Sequence, residues 1–375
     1  MGTNLLNMSK NLATRAADEH YSSFNGMLAA ARHDRANSRE VNTTLHSLRI
    51  VADGGRLKLT RNLPGSGAYE LSYQGARALS RLAGADAAFV YERLSPEVAA
   101  AALNNALQNG EDRNVNIMLS TFRGDGSTDN TARVRAINGE AYARVWDADY
   151  LEAVDRWLIG TGWKAAQPTI NTNEQRDNIM GNNKPALFRG DGDSAVFLMC
   201  DNAPSQPGAG NRPAFRGWLG TNSEVGLRSL SGTDFVFDAF CANFIIWGAR
   251  AMRSLRLVHR GHGSLLIRKF EQQLQLVEPV VTFDELDVMR KANEHQFAAD
   301  VEKIVERLQQ EFALSEVKAQ RVVALAAANE NRDTRELSHA WVANGVTSLA
   351  KEVRNSDALI ELGTLGGDIY MAGAR

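Results

Sequence analysis

Cysteine is scarce in this chain: Cys200 and Cys241 are the only two among 375 residues. A disulfide framework is therefore excluded, and a reducing, cytoplasmic setting is expected. Long apolar runs are missing as well. The longest, "AFCANFIIWGARAM" (239–252), is interrupted by Asn243 and Arg250 and falls short of a membrane span. The first twenty residues lack the continuous apolar core of a signal peptide. Charge of one sign is missing too. The formal net charge is −2, so a nucleic-acid surface would have to be a local patch and not a property of the whole chain.

Recognisable catalytic motifs are also lacking. There is no G-x-x-x-x-G-K-[ST] phosphate loop, no G-x-G-x-x-G opening a helix, no G-x-S-x-G elbow and no H-E-x-x-H. Cys241, His259 and His262, with Cys200 as a fourth, have the ligand types for zinc but no diagnostic spacing. They read as a buried thiol and surface histidines, so no metal and no cofactor is expected. Asp147 and Asp149 stand where acids favour a helix start. An enzyme is the less favoured class.

What is present is a clear succession of elements. "HSLRIVADGGRLKLTRN" (46–62) alternates around Asp53-Gly54-Gly55 and predicts a hairpin. Ser72 and Ser95-Pro96 mark two helix starts. Strands are expected at 115–122, 132–137, 185–188 and 194–200, a helix at 146–162, and mostly helix beyond 239, with one or two long helices across 282–331 and another at 335–354. "FRGDG" occurs at 122–126 and again at 188–192, each time between strand-like runs. Neither copy has the acids and glycine of a calcium loop, so both are expected to be turns, with Gly-Asp-Gly supplying positive φ angles. These features predict an α+β fold: an antiparallel curved sheet with hairpins backed by helices. A helical N-terminal arm (1–40), an α+β core (41–270) and a helical C-terminal region (271–375) are expected.

One charge asymmetry stands out. No acidic residue occurs between Asp238 and Glu271, while Arg250, Arg253, Arg256, His259, Arg260, His262, Arg268 and Lys269 fall inside that window. Guanidinium groups and exposed backbone N–H groups in "RLVHRGHGS" suit phosphates. In "ARVRAINGEAYARVW", Arg133, Arg135 and Arg144 interleave with Tyr142 and Trp146, a pattern that suits stacking on a single strand. The competing expectation is that the arginines pair with the acidic helices at 282–311, within the chain or between subunits.

Three stretches carry a resemblance: "YELSYQGARALSRLAGADAAFVYERLSPEVAAAALNNALQ", "ARVRAINGEAYARVWDADYLEAV" and "LGTNSEVGLRSLSGTDFVFDAFCANFIIWGARAMRSLRLVHRGHG". Together they resemble a phage- and plasmid-borne family, the domain of unknown function numbered nine hundred and thirty-two. The aromatic and aspartate that follow Asn-Ser in that family are Glu224 and Val225 here. The small polar residue before its later Asn is Ala242, and the following threonine is Phe244. The resemblance implies a role in phage or mobile-element DNA metabolism and, more distantly, a likeness to single-strand annealing recombinases. The expected function is a non-enzymatic, homo-oligomeric protein, a ring or filament, that binds or anneals single-stranded DNA without a membrane. One alternative is an oligomeric protein-interaction factor for anti-defence or host takeover. The other is a metal-dependent nuclease built on Asp191, Asp193, His259 and His262.

Overall fold

A computed structural model describes residues 18–60, 68–122, 131–166, 186–200, 206–207, 213–238, 243–245, 255–328, 334–350, 352 and 356–374. It opens with a short strand β1 (Glu19–His20) and helix α1 (Phe24–Ala36), then strands β2 (Arg39–Thr44), β3 (Arg49–Asp53), β4 (Arg56–Thr60) and β5 (Tyr69–Glu70). Helices α2 (Tyr73–Leu82), α3 (Ala87–Arg93) and α4 (Pro96–Asn109) follow, then strands β6 (Asn114–Ser120) and β7 (Arg133–Gly139). β3 and β4 form the expected hairpin, with Gly54 and Gly55 at φ 59° and 76°. Two left-handed residues match the right-handed twist of the flanking strands. Ser72, Asp86 and Ser95 each cap a helix by accepting the backbone N–H three residues on. The sheets β2-β6-β7 and β3-β4-β5 close with these helices over one apolar core that includes Leu59, Leu79, Leu103, Ile117 and Val134.

The second half is built on α5 (Asp147–Trp157) and strands β8 (Trp163–Ala165), β9 (Leu187–Arg189), β10 (Ser194–Cys200), β11 (Gln206–Pro207), β12 (Pro213–Asn222), β13 (Leu230–Asp238), β14 (Asn243–Ile245) and β15 (Leu255–Leu257). With β1 they make a nine-stranded antiparallel sheet in the order β1-β9-β10-β12-β13-β14, with β8, β11 and β15 paired at its flanks. The fold is α+β, and this sheet curves without closing. Strand alternation divides its side chains between two cores. Val196, Leu198, Cys200, Leu187 and Trp218 face α1, α5 and helix α6 (Gly263–Leu274). Ala195, Phe197, Met199 and Phe188 face the C-terminal helices. These are α7 (Phe283–Glu294), α8 (Val301–Gln310), α9 (Glu316–Ala328), α10 (His339–Leu349) and α11 (Ser356–Gly373).

One expectation changes. The described residues of 282–331 form three helices, not one or two. A Thr282/Glu285 capping box starts α7, Asp300 caps α8, and Ala313 at φ 54° breaks the chain before α9. Of the region read as an N-terminal arm, the described part is β1 and α1. They lie on the body, with Phe24, Met27, Leu28 and Ala31 buried beside α5. The amphipathic helices that suggested an oligomer find their apolar partner within the chain, on the second face of the large sheet. α10 sits at the centre of that layer with all 11 residues buried, as expected of a helix without a polar face. Asp18 accepts the Ser356 N–H at 2.9 Å, joining positions 338 residues apart. Among the described residues no helix is long and apolar enough to cross a membrane.

The second FRGDG is a turn, since β9 and β10 pair through Arg189 and Ser194, and Gly190 N–H meets the Asp193 carbonyl at 2.8 Å. Its glycines do not take the expected positive φ. A Cβ at Gly192 would meet only the movable ends of the Leu227 and Gln74 side chains, at 2.3 and 3.2 Å. In the first copy β6 and β7 pair antiparallel, and 123–126 lie outside the described residues.

α7 is tied to the sheet by Arg216 of β12. Its guanidinium is buried and grips both oxygens of Glu285 at 2.7 Å while donating to the Val280 carbonyl. Glu285 therefore closes the helix cap and neutralises a buried charge at once. Replacing it, Glu285→Ala, should destabilise the fold by about 3–5 kcal/mol in urea unfolding, because a buried arginine loses its main partner. Glu294→Ala, which removes an exposed pair with Arg290, should leave the midpoint unchanged.

Candidate functional site

The two halves meet at a junction made almost wholly of charged and amide side chains. Alternation in β7 puts Arg133 and Arg135 on one face, toward the β9–β10 turn. Arg135 is 0% exposed. It pairs with Glu224 and donates to the Asp191 and Gly190 carbonyls, while Arg133 reaches Asp191 Oδ1 at 3.1 Å. Glu224 Oε1 also accepts the N–H of Asp147 at 2.8 Å, at the start of α5. Asp147 in turn receives Arg189 Nε at 3.1 Å, Ser194 Oγ at 2.8 Å and Asn222 Nδ2 at 2.9 Å. Arg189 continues to Asp34 of α1 at 2.7 Å. The Phe122 ring lies between the Arg135 and Arg189 guanidinium groups, 4.4 and 4.3 Å from its centroid.

Arg144 is 8% exposed. It binds Glu40 at 2.7 Å, Asn116 at 2.8 Å, Asn138 at 3.2 Å and the Glu224 carbonyl. Ser223 Oγ accepts the N–H groups of Val225, Gly226 and Leu227 and donates to the Gly192 carbonyl at 2.6 Å. Tyr142 donates its hydroxyl to the Ser223 carbonyl at 2.7 Å and stacks on His259 at 5.2 Å. Burial pushes the Asp147 carboxyl above the usual carboxylate range, Glu224 adds to the shift, and Arg189 and Arg135 oppose it. Burial also raises the Tyr142 phenol and the Asp191 carboxyl.

Of Arg133, Arg135, Tyr142, Arg144 and Trp146, expected as a stacking platform for a single strand, Arg135 and Arg144 are buried, and Arg133, Tyr142 and Trp146 are half-buried. The three arginines and the Tyr142 hydroxyl are engaged by the protein itself, so much of this pattern of bases beside aromatics serves a junction within the chain. The residues offered for a nuclease centre are not brought together as ligands. Asp191 faces Arg133 and Arg135, Asp193 pairs with Arg228, and His259 Nδ1–H donates to the Ala143 carbonyl at 3.0 Å. Cys200 is buried in the large sheet, and Cys241 lies outside the described residues. Among the described residues no group of three or more His, Cys, Asp and Glu side chains could hold a metal ion.

The acid-free window divides. Arg250 and Arg253 lie outside the described residues. His259 is buried, and burial lowers its pKa. Arg256, Arg260, His262, Arg268 and Lys269 are exposed. Arg256 donates to Ser229 Oγ, on the opposite side of β15 from Leu255 and Leu257, which pack toward α6. Arg260, His262, Arg268 and Lys269 have no ion-pair partner among the described residues. Of the acids of α7 and α8, Glu285 pairs with Arg216 of the sheet, and others pair with bases on their own helices: Asp287 and Glu294 with Arg290, Glu306 with Lys303, Glu311 with Arg307. The internal pairing expected for the arginine window is thus not seen for its described members.

Gly261, at φ 93°, and Gly263 deliver His262 to the N-cap of α6, where its side chain does not cap. Gly263 must be glycine because a Cβ would lie 2.3 Å from the Arg144 carbonyl oxygen. This close approach makes one wall of a polar groove of about 620 Å³, with Tyr142 and Arg144 at its base and strands β2 and β6 opposite. The sequence signal for it was the Gly-His-Gly spacing; the asparagines of the far wall gave none. Comparison with protein-family models, curated proteins and solved structures finds no match.

Two outcomes follow. Arg135→Ala should cost about 3–5 kcal/mol in chemical unfolding, since it strands Glu224 in the interior and leaves Asp191 with Arg133. The folded pKa of His259 is depressed, so the neutral ring contributes stability that is full above about 6.5 and lost as pH falls through the folded value. An NMR titration should give its midpoint below 6.5, whereas His259→Gln should reduce the loss of stability over that interval.

Proposed function

We propose that this chain binds the backbone of single-stranded DNA at the N-terminal end of α6. The observation that carries the reading is the concentration of exposed bases there, Arg260, His262, Arg268 and Lys269, in a stretch without acidic residues along the chain; Glu40 and Glu140 lie across the groove. On α6, His262, Leu265 and Lys269 fall on one stripe and Ser264 and Arg268 on the next, so His262 stands at the helix start and Arg268 and Lys269 follow in its second turn. Unsatisfied N–H groups at that start add a partial positive charge directed at an anion. Arg260 lies beside them through its bridge to Tyr142. The adjoining groove has the volume for an unstacked base, which a duplex does not offer without opening. The resemblance to mobile-element proteins supports DNA over RNA. Stacking on Tyr142 and Trp146 is no longer part of the mechanism, and neither residue is needed for phosphate contact.

Exposed apolar surface favours a second reading, a protein partner. Phe283 is 86% exposed, close in sequence to Pro279 and Val280, which line an apolar groove with Trp157 and Trp163.

Fluorescence anisotropy with a labelled oligonucleotide separates the two. Affinity should fall steeply with salt, and Arg260→Ala, Arg268→Ala and Lys269→Ala should each reduce the log–log slope by roughly 0.7. Affinity untouched by all three substitutions, or no binding at low salt, would count against the DNA reading. A duplex of the same length should bind more weakly.

A further inference from the structure

The groove beside α6 has a fixed pattern of donors and acceptors, and it originates in a buried residue. Asn42, Asn116 and Asn138 stand directly opposite one another across β2, β6 and β7. Arg144 has only donors, and one of its amines reaches both Asn116 Oδ1 and Asn138 Oδ1. Each of those amides must therefore turn its oxygen to Arg144. Asn116 then presents its NH2 to Asn42 Oδ1 at 2.9 Å, and Asn42 is left with its own NH2 facing outward. One row further along, Thr44 pairs with Asn114, whose Nδ2 donates to Glu140 Oε2 at 3.3 Å. This leaves Asn114 Oδ1 and Glu140 Oε1 as acceptors. Asn42, Asn114 and Glu140 all line the groove whose other wall carries His262.

We infer that this groove receives a nucleobase carrying an exocyclic amino group, in preference to thymine. Two outward acceptors and one outward donor match the edge of cytosine, adenine or guanine, where amino hydrogens lie beside a ring or carbonyl acceptor. Thymine brings a single N–H and leaves one acceptor unmatched. The exposed carboxylate of Glu140 disfavours phosphate on this wall, so the backbone lies along the α6 side and the base points across. The inference rests on the DNA-binding reading and adds to it a base preference that backbone contacts cannot give.

The test is anisotropy with dA15, dC15, dT15 and an abasic backbone of the same length, at one salt concentration. dA15 and dC15 should bind about threefold to tenfold tighter than dT15, the range that one net hydrogen bond supplies. In Asn42→Ala and in Glu140→Ala that ratio should fall toward one while the salt slope stays unchanged. Equal affinity for the three oligonucleotides, or a preference that survives both substitutions, overturns this inference and leaves backbone binding standing. Failure of all four probes to bind overturns both. Circular dichroism of each variant separates loss of preference from loss of fold, and both side chains are exposed enough for replacement without a cavity.

Discussion

The contact between Arg135 and Glu224 holds the rest of this molecule in register. Arg135 comes from the small sheet and Glu224 from the segment after β12, and both are buried. Glu224 also accepts the first N–H of α5, and its own carbonyl receives Arg144. One residue therefore fixes the angle between the two sheets, the start of a core helix and the base of the groove. Burying such charges is costly, and the cost is offset only when every lone pair and N–H finds a partner. The surrounding shell of Ser194, Asn222, Ser223 and Asn138 meets most of that requirement, while Arg189 Nη2 and Asn222 Oδ1 are left without a partner among the described residues.

Much of the fold could be read from local chemistry. Asp53-Gly54-Gly55, Ser72, Ser95-Pro96 and the short apolar run 194–200 each specify their structure over a few residues, and each was legible. The three-way division of 282–331 was less so, because Thr282, Asp300 and Ala313 interrupt a pattern whose apolar period continues past them. α11 fell inside the helical region expected for 271–375 but was not delimited within it. Its polar stripe is thin, with Asp357, Glu361, Thr364 and Asp368 set among glycines and small residues that pack on the other side.

The site was legible only in part, and the errors share a cause. Composition near Arg133, Arg135 and Arg144 could not distinguish an exposed basic platform from a buried junction, since the acids that neutralise it lie 50 to 110 residues away in sequence, at Asp191, Glu224 and Glu40. The Gly-His-Gly spacing did signal a backbone held open beside basic residues. Asn222-Ser223, which drew attention as part of a motif, proves to be the corner that seats Glu224. Its value to the protein is architectural, and it gives the groove a rigid floor.

The layer of helices over the second face of the large sheet also has a temporal meaning. Strands β8 to β13 leave the ribosome before any of α7 to α11 exists. Phe188, Phe197, Met199 and Phe235 would then form a bare apolar surface, shielded only when helices that begin 95 residues after Phe188 and 48 after Phe235 fold back. Pairings between such distant positions are slow to form, and an uncovered sheet is prone to associate with other chains. The bond from Asp18 to Ser356 cannot form until synthesis has passed the start of α11. A nascent copy therefore has a long interval of vulnerability, during which a holding chaperone would find its target on the face that the finished molecule hides.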